Sequence, residues 1–141
     1  MINNKNKLIE LKGKTIALVY IFEKETADGF NHFLIWKDKV LTGWLSAIYE
    51  LNCLPYIIDV RTFMQKASCG TLPHIDYVIN LNSGCISLST MGLVPSICSF
   101  LNIPCIPCDT NAILATENKI ISNFIASGTN LQIPKFLDKY N

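Results

Sequence analysis

Two thiols stand two residues apart in Cys105-Ile106-Pro107-Cys108. A CxxC can do redox chemistry where a helix N-terminus lowers a thiol pKa. It can also supply half of a zinc site where a second ligand pair follows at similar spacing. Here the pair overlaps a predicted strand and its exit, Pro107 precedes the second thiol, and Cys53, Cys69, Cys85 and Cys98 are scattered. His32 and His74 stand alone and read as surface loop residues rather than as bases. Glu23, Glu25 and Asp28 gather carboxylates in one short loop, an acidic cluster that a solvated loop explains equally well. Glycines at 13, 29, 43, 70, 84, 92 and 128 match neither G-x-G-x-x-G nor the Walker pattern, and no G-x-S-x-G elbow is present.

The elements that must position these groups follow from hydrophobic patterning. Residues 1–13 read as a solvated arm. Lys14 to Phe22 holds an unbroken apolar run from Ile16, which suits a strand buried on both faces. A charged loop follows, with a turn at Asp28-Gly29. Phe33, Trp36, Val40, Trp44, Ala47, Ile48 and Leu51 recur at helical spacing. They predict a helix over 33–51, with Asn31 as N-cap and Gly43 permitting a close neighbour. Pro55 to Val60 reads as a second strand, Arg61 to Lys66 as a helical turn and Cys69 to His74 as a loop. Asp76 to Leu81 is a third strand, ended by the turn residues Asn82-Ser83-Gly84. A short apolar helix over 92–101 tolerates Pro95 in its first turn. Ile103 to Ile106 is a fourth strand. Short helices are expected over 110–114 and 116–126, the second capped by Thr116 and stopped by Gly128. Another strand is expected from Ile133.

Strands thus alternate with helices, and none is joined to the next by a two-residue hairpin turn. That predicts an α/β fold with a small, mostly parallel sheet of about four strands and helices on its faces. Such sheets bind ligands beyond the carboxyl ends of their strands. Those ends lead into Glu23–His32, Asp59–Thr62, Asn80–Gly84 and Pro107–Thr110. Tyr77 to Cys108 contains no charged residue and no His. Either it is a buried central strand and helix, or part of it is a neutral surface covered by another domain or subunit.

Composition sets the outer bounds. The 141 residues make about one domain. Half of them are hydrophobic and 16% are charged, which excludes a disordered chain. Twelve Lys and Arg against eleven Asp and Glu leave a net charge of +1, without the basic excess of a general nucleic-acid binder. No uncharged apolar run reaches the ~18 residues of a membrane span. The polar, Lys-rich start lacks the apolar core of a secretory signal. The six Cys are therefore expected as reduced thiols in a cytoplasm, mostly buried as small hydrophobes.

Residues 75–137 resemble the start of the D-alanine–D-alanine ligase family of the ATP-grasp superfamily. The likeness lies in the order of Val78-Ile79-Asn80-Leu81-Asn82-Ser83-Gly84, the helix leading into Asn102-Ile103-Pro104, and Pro107-Cys108-Asp109-Thr110. Thr116-Glu117-Asn118-Lys119-Ile120-Ile121 follows, then Gly128 and Ile133-Pro134. The resemblance implies a Rossmann-like, three-layer α/β/α pre-ATP-grasp domain over 14–115 and the opening of an ATP-grasp domain over 116–141. In that family ATP and magnesium turn a carboxylate into an acyl phosphate, which an amine then attacks. By resemblance Lys119 contacts ATP, and Glu23, Glu25, Asn82, Ser83 and Gly84 are candidates for the substrate side. No catalytic residue and no metal ligand is expected in the chain.

The sequence also departs from the family. The first loop, Phe22-Glu23-Lys24-Glu25-Thr26-Ala27-Asp28-Gly29, lacks the Gly-Gly-x-Ser pattern, Ser83-Gly84 stands for His-Gly, and Pro107 stands for a Gly. The substrate is therefore expected to be amino-acid-like without being fixed as D-alanine. The lid, the main ATP-binding domain and the acidic magnesium ligands would lie beyond Asn141. The chain alone is thus expected to be inactive and to bind ATP poorly, completed by ATP-grasp domains in cis or in trans. A homodimer is also expected, and neither nucleic acid nor membrane. The other readings are a stand-alone partner subunit and a small-molecule-binding or regulatory α/β domain.

Overall fold

The computed structural model describes residues 10–21, 38–82, 88–129 and 131. Four strands, β1 (Thr15–Tyr20), β2 (Leu54–Asp59), β3 (Tyr77–Asn80) and β4 (Cys105–Ile106), form one sheet in the order β2-β1-β3-β4. Every pairing is parallel, with Tyr20 opposite Asp59, Val19 opposite Asn80 and Val78 opposite Cys105. The helices are α1 (Asp38–Glu50), α2 (Val60–Ser68), α3 (Leu93–Phe100), α4 (Thr110–Glu117) and α5 (Lys119–Gly128). A 3₁₀ turn, Leu88–Gly92, leads into α3.

The apolar run of β1 divides by strand parity onto both faces of the sheet. Ala17, Val19 and Ile21 join Ile58, Val78 and Phe63 in one core cluster, which α2 and α3 cover. Ile16, Leu18 and Tyr20 join Ile79 and Ile48 in the other, which α1 covers. The result is a three-layer α/β/α domain, as patterning and resemblance both led one to expect. Phe63 is fully buried, worth roughly 1.5–3 kcal/mol in apolar transfer.

Three helices stop by the same device. Asn52, Gly70 and Asn102 take positive φ after α1, α2 and α3. The next amide then reaches back into the last turn: Cys53 N–H to Ile48 O, Thr71 N–H to Lys66 O and Ile103 N–H to Cys98 O. Gly and Asn are the residues that tolerate this left-handed closure.

Several expectations are corrected. The buried stripe of α1 runs through Leu41, Trp44, Leu45 and Ile48, while Val40 and Ala47 face outward. A Cβ placed on Gly43 would meet nothing, so that glycine permits no close approach. Residues 61–66 belong to a nine-residue helix rather than a lone turn, because Asp59 caps it through Arg61 N–H and Thr62 N–H. Pro104 and Pro107 flank the fourth strand and cannot donate to a ladder, so β4 is only two residues long. Thr116 does not cap the last helix. It lies inside α4 with its hydroxyl on Ala112 O, and Asn118 caps α5. Ser122 Oγ ties the two helices together by donating to Ala115 O and Asn118 O. Thr129 follows Gly128 as the C-cap. Asn31, residues 33–37 of the expected first helix and the strand from Ile133 lie outside the described residues. Among those described, no helix is long and apolar enough to cross a membrane.

Candidate functional site at the carboxyl edge of the sheet

Strand order places a switch point between β1 and β3. The chain crosses from β1 to β2 on one side and returns to β3 on the other. In parallel sheets such a point opens a crevice beyond the carboxyl ends. Asn80 and Asn82 stand there after β3, and Asp59 ends β2 on the other side of β1; these are the buried polar side chains among the described residues.

Asn80 and Asn82 hold the 3₁₀ turn against the sheet. Asn80 Nδ2 donates to Met91 O at 3.3 Å, and Asn82 Nδ2 donates to Thr90 O. Asn80 Oδ1 accepts the Asn82 N–H at 3.0 Å, closing an Asx turn that fixes the direction of the chain leaving β3. Each buried amide thus spends a donor on a backbone carbonyl of the turn and is itself satisfied.

The turn so placed lines a cleft of about 290 Å³ with Thr90, Gly92, Leu93, Ser96, Thr110 and Leu114. Its walls are mostly apolar, with one hydroxyl pair, Ser96 Oγ and Thr110 Oγ1, 2.9 Å apart. Ser96 Oγ also reaches Gly92 O at 2.7 Å. A Cβ on Gly92 would come within 3.1 Å of Thr110 Cγ2 and 3.2 Å of Leu114. A side chain at Gly92 would therefore press on α4 at this wall. A neutral pocket with a hydroxyl pair suits a small ligand of mixed apolar and hydrogen-bonding character.

Asp59 is 7% exposed. Its Oδ1 caps α2, and its Oδ2 is buried with no hydrogen-bond partner among the described residues. The carboxyl edge of the sheet is formed, among the described residues, by Asp59–Thr62, Asn80, Asn82 and Pro107–Thr110. Sequence reading named these segments without singling out the cap of Asp59, the clamp by Asn80 or the Ser96–Thr110 pair. An Asp closing an apolar strand before a helix was the available signal for the first.

The thiols divide differently from the CxxC reading. Cys53 and Cys98 are buried, Cys105 and Cys108 are half-buried, and Cys69 is exposed. Most were expected to be buried, whereas two of the five described are. Cys108 precedes Asp109, the N-cap of α4, yet burial pushes its thiol up, with Asp109, Cys105 and Glu117 adding to the shift. Cys105 partners Cys98 instead: a hydrogen bond between the two holds the Cys105 thiol below its ordinary value against the effect of burial. His74 is exposed and stands 3.4 Å from Asp76.

Of the residues expected on the substrate side, Asn82 is buried at the end of β3, while Glu23, Glu25, Ser83 and Gly84 lie outside the described residues. Lys119 is exposed in the first turn of α5 and is not part of the cleft wall. No group of three His, Cys, Asp or Glu among the described residues could hold a metal. Lys119 alone does not make a nucleotide site, so no step through ATP or magnesium is assigned to these residues. Comparison of the chain with family profiles, curated proteins and solved structures finds no match.

Proposed function

We propose that the chain is the N-terminal, substrate-side domain of an ATP-dependent carboxylate–amine ligase resembling the D-alanine–D-alanine ligases, and that it does not complete the reaction alone. The observation that carries this reading is α5. Its large apolar residues Ile120, Ile121, Phe124 and Ile125 are all exposed, and the helix buries none of its residues. A helix with such a face calls for cover. In the order of the resemblance this helix bears Lys119 and opens the ATP-binding part. The nucleotide-gripping domain, in cis or in trans, is the cover that the reading supplies.

In that chemistry ATP activates a carboxylate as an acyl phosphate, and an amine displaces phosphate. This chain's share is to shape one wall of the pocket, through the Asn80–Asn82 edge and the cleft beside it, around an amino-acid-like substrate. Magnesium and the groups that stabilise the transferring phosphoryl belong to the other part.

Calorimetric titration of the 141-residue chain with Mg-ATP tests the reading. The expected result is no micromolar binding and no nucleotide turnover, and either one in the chain alone overturns it. A second reading, a small-molecule-binding or regulatory α/β domain, is favoured by a cleft built wholly from this chain's own residues. An open reading frame that runs past Asn141 into glycine-rich and acidic segments separates the two, since only the first requires it in cis. For a partner in trans, co-purification with a larger ligase chain is the corresponding test.

A further inference from the structure

Two thiols from different elements meet on one face of the sheet. Val78 faces the core cluster covered by α2 and α3, and its register partner is Cys105. Side chains at paired positions of parallel strands share a face, so Cys105 points toward the same cluster and packs against it. Cys98 comes to that cluster from α3 and is wholly buried in it. The turn between them is fixed, since Ile103 N–H donates to Cys98 O at 2.8 Å and Val78 N–H donates to Pro104 O at 2.9 Å. Both thiols thus belong to one packed cluster. Cys105 is the half-exposed member and Cys98 the enclosed one.

We propose that Cys98 and Cys105 are an oxidisable dithiol that closes to an intrachain disulfide when a peroxide attacks at Cys105. The accessible sulfur reacts first. Cys105 thiolate attacks one oxygen of hydrogen peroxide; the S–O bond forms, the O–O bond breaks, and hydroxide leaves to take up the thiol's proton as water. The Cys98 sulfur then attacks the sulfenic sulfur. The S–S bond forms, the S–O bond breaks, and the hydroxyl leaves as water with the Cys98 proton. Two thiols lose two electrons and one peroxide becomes two waters. The interaction between the two thiols agrees with this order, because it lowers the Cys105 pKa and raises that of Cys98. The CxxC partner Cys108 is the competing second thiol, and the test below distinguishes the two.

The test oxidises the full chain with hydrogen peroxide, blocks remaining thiols and digests it without reduction. Chymotryptic cleavage after Phe100 or Leu101 separates Cys98 from Cys105. The expected product is a linked peptide pair lacking two hydrogens, bridged Cys98–Cys105 and released by dithiothreitol. Cys108→Ser is expected to form the same bridge to the same extent, and Cys105→Ser to lose it. A Cys105–Cys108 bridge, oxidation confined to exposed Cys69, or an unmodified Cys98 after Cys105 has been oxidised would each overturn the proposal. Both variants leave buried Cys98 untouched, so the outcome does not depend on replacing a wholly buried core residue.

Discussion

Lys14 Nζ lies 2.9 Å from Asp76 Oδ1, while Asp76 Oδ2 accepts the Thr15 N–H at 2.8 Å, so one carboxylate fastens the start of β1 to the approach of β3. The Thr15 amide is the first cause of the lowered Asp76 pKa; the Lys14 hydrogen bond comes second, and burial opposes both. A carboxyl group depressed in the folded state stabilises it above the unfolded value of about 3.9, and that contribution is lost as pH falls through the lower folded value. Lys14 is raised chiefly by its hydrogen bond to Asp76. Its contribution is complete below an unfolded value of about 10.4 and is lost as pH rises through the folded one. Urea midpoints are expected to fall below pH ~4 and above pH ~10. Asp76→Ala should flatten the acid limb more than Lys14→Met, because it also strips the Thr15 amide of its acceptor.

Asp59 gives a second test, at the carboxyl edge. Its Oδ1 caps α2, whereas its Oδ2 is buried without a partner among the described residues. Asp59→Ala removes the cap and is expected to cost about 1 kcal/mol, within a range of about 0.5–2. Asp59→Asn keeps an amide oxygen for the cap and removes a buried charge, so it should cost less than the alanine variant. Urea unfolding at neutral pH ranks the two, and the reverse order would show that the cap oxygen is not what stabilises α2.

Gly92 sets the width of the cleft. A methyl group there would press on Thr110 Cγ2 and Leu114, and Thr110 is held by its contact with Ser96. Gly92→Ala is expected to destabilise by roughly 1–3 kcal/mol, as overpacking does. Adding Thr110→Ser removes the nearest carbon and keeps a hydroxyl for Ser96, so the double variant should recover part of the loss. Thermal melts of the single and double variants measure the recovery.

These positions also show what the sequence could carry. The doubly buried run Ile16–Ile21 announced a central parallel strand, because a half-exposed strand alternates and this one does not. The edge beyond Asn80 was legible for the same reason: strand ends and turn residues are local signals. Pairings between distant segments were not. Cys105 carries no local mark of its contact with Cys98, which depends on the turn at Asn102 and on the register of β4 with β3. The break at Asn118 was missed because Thr116 and Asn118 are both good caps. The choice between them rests on Ser122 reaching back across the junction.

The exposed stripe of α5 supplies the last test. Exposed side chains lose little when replaced, so Ile121→Lys with Ile125→Lys should change stability by no more than about 0.5 kcal/mol per substitution. The same pair removes apolar surface at the centre of the face and adds two positive charges. If that face is where another domain, a partner chain or a second copy sits, association should weaken while the melting temperature holds. Light scattering at high concentration reads the homodimer, and pull-down with a larger ligase chain reads the partner in trans. A fall in melting temperature of the isolated monomer would instead show that α5 packs on its own chain and offers no docking face.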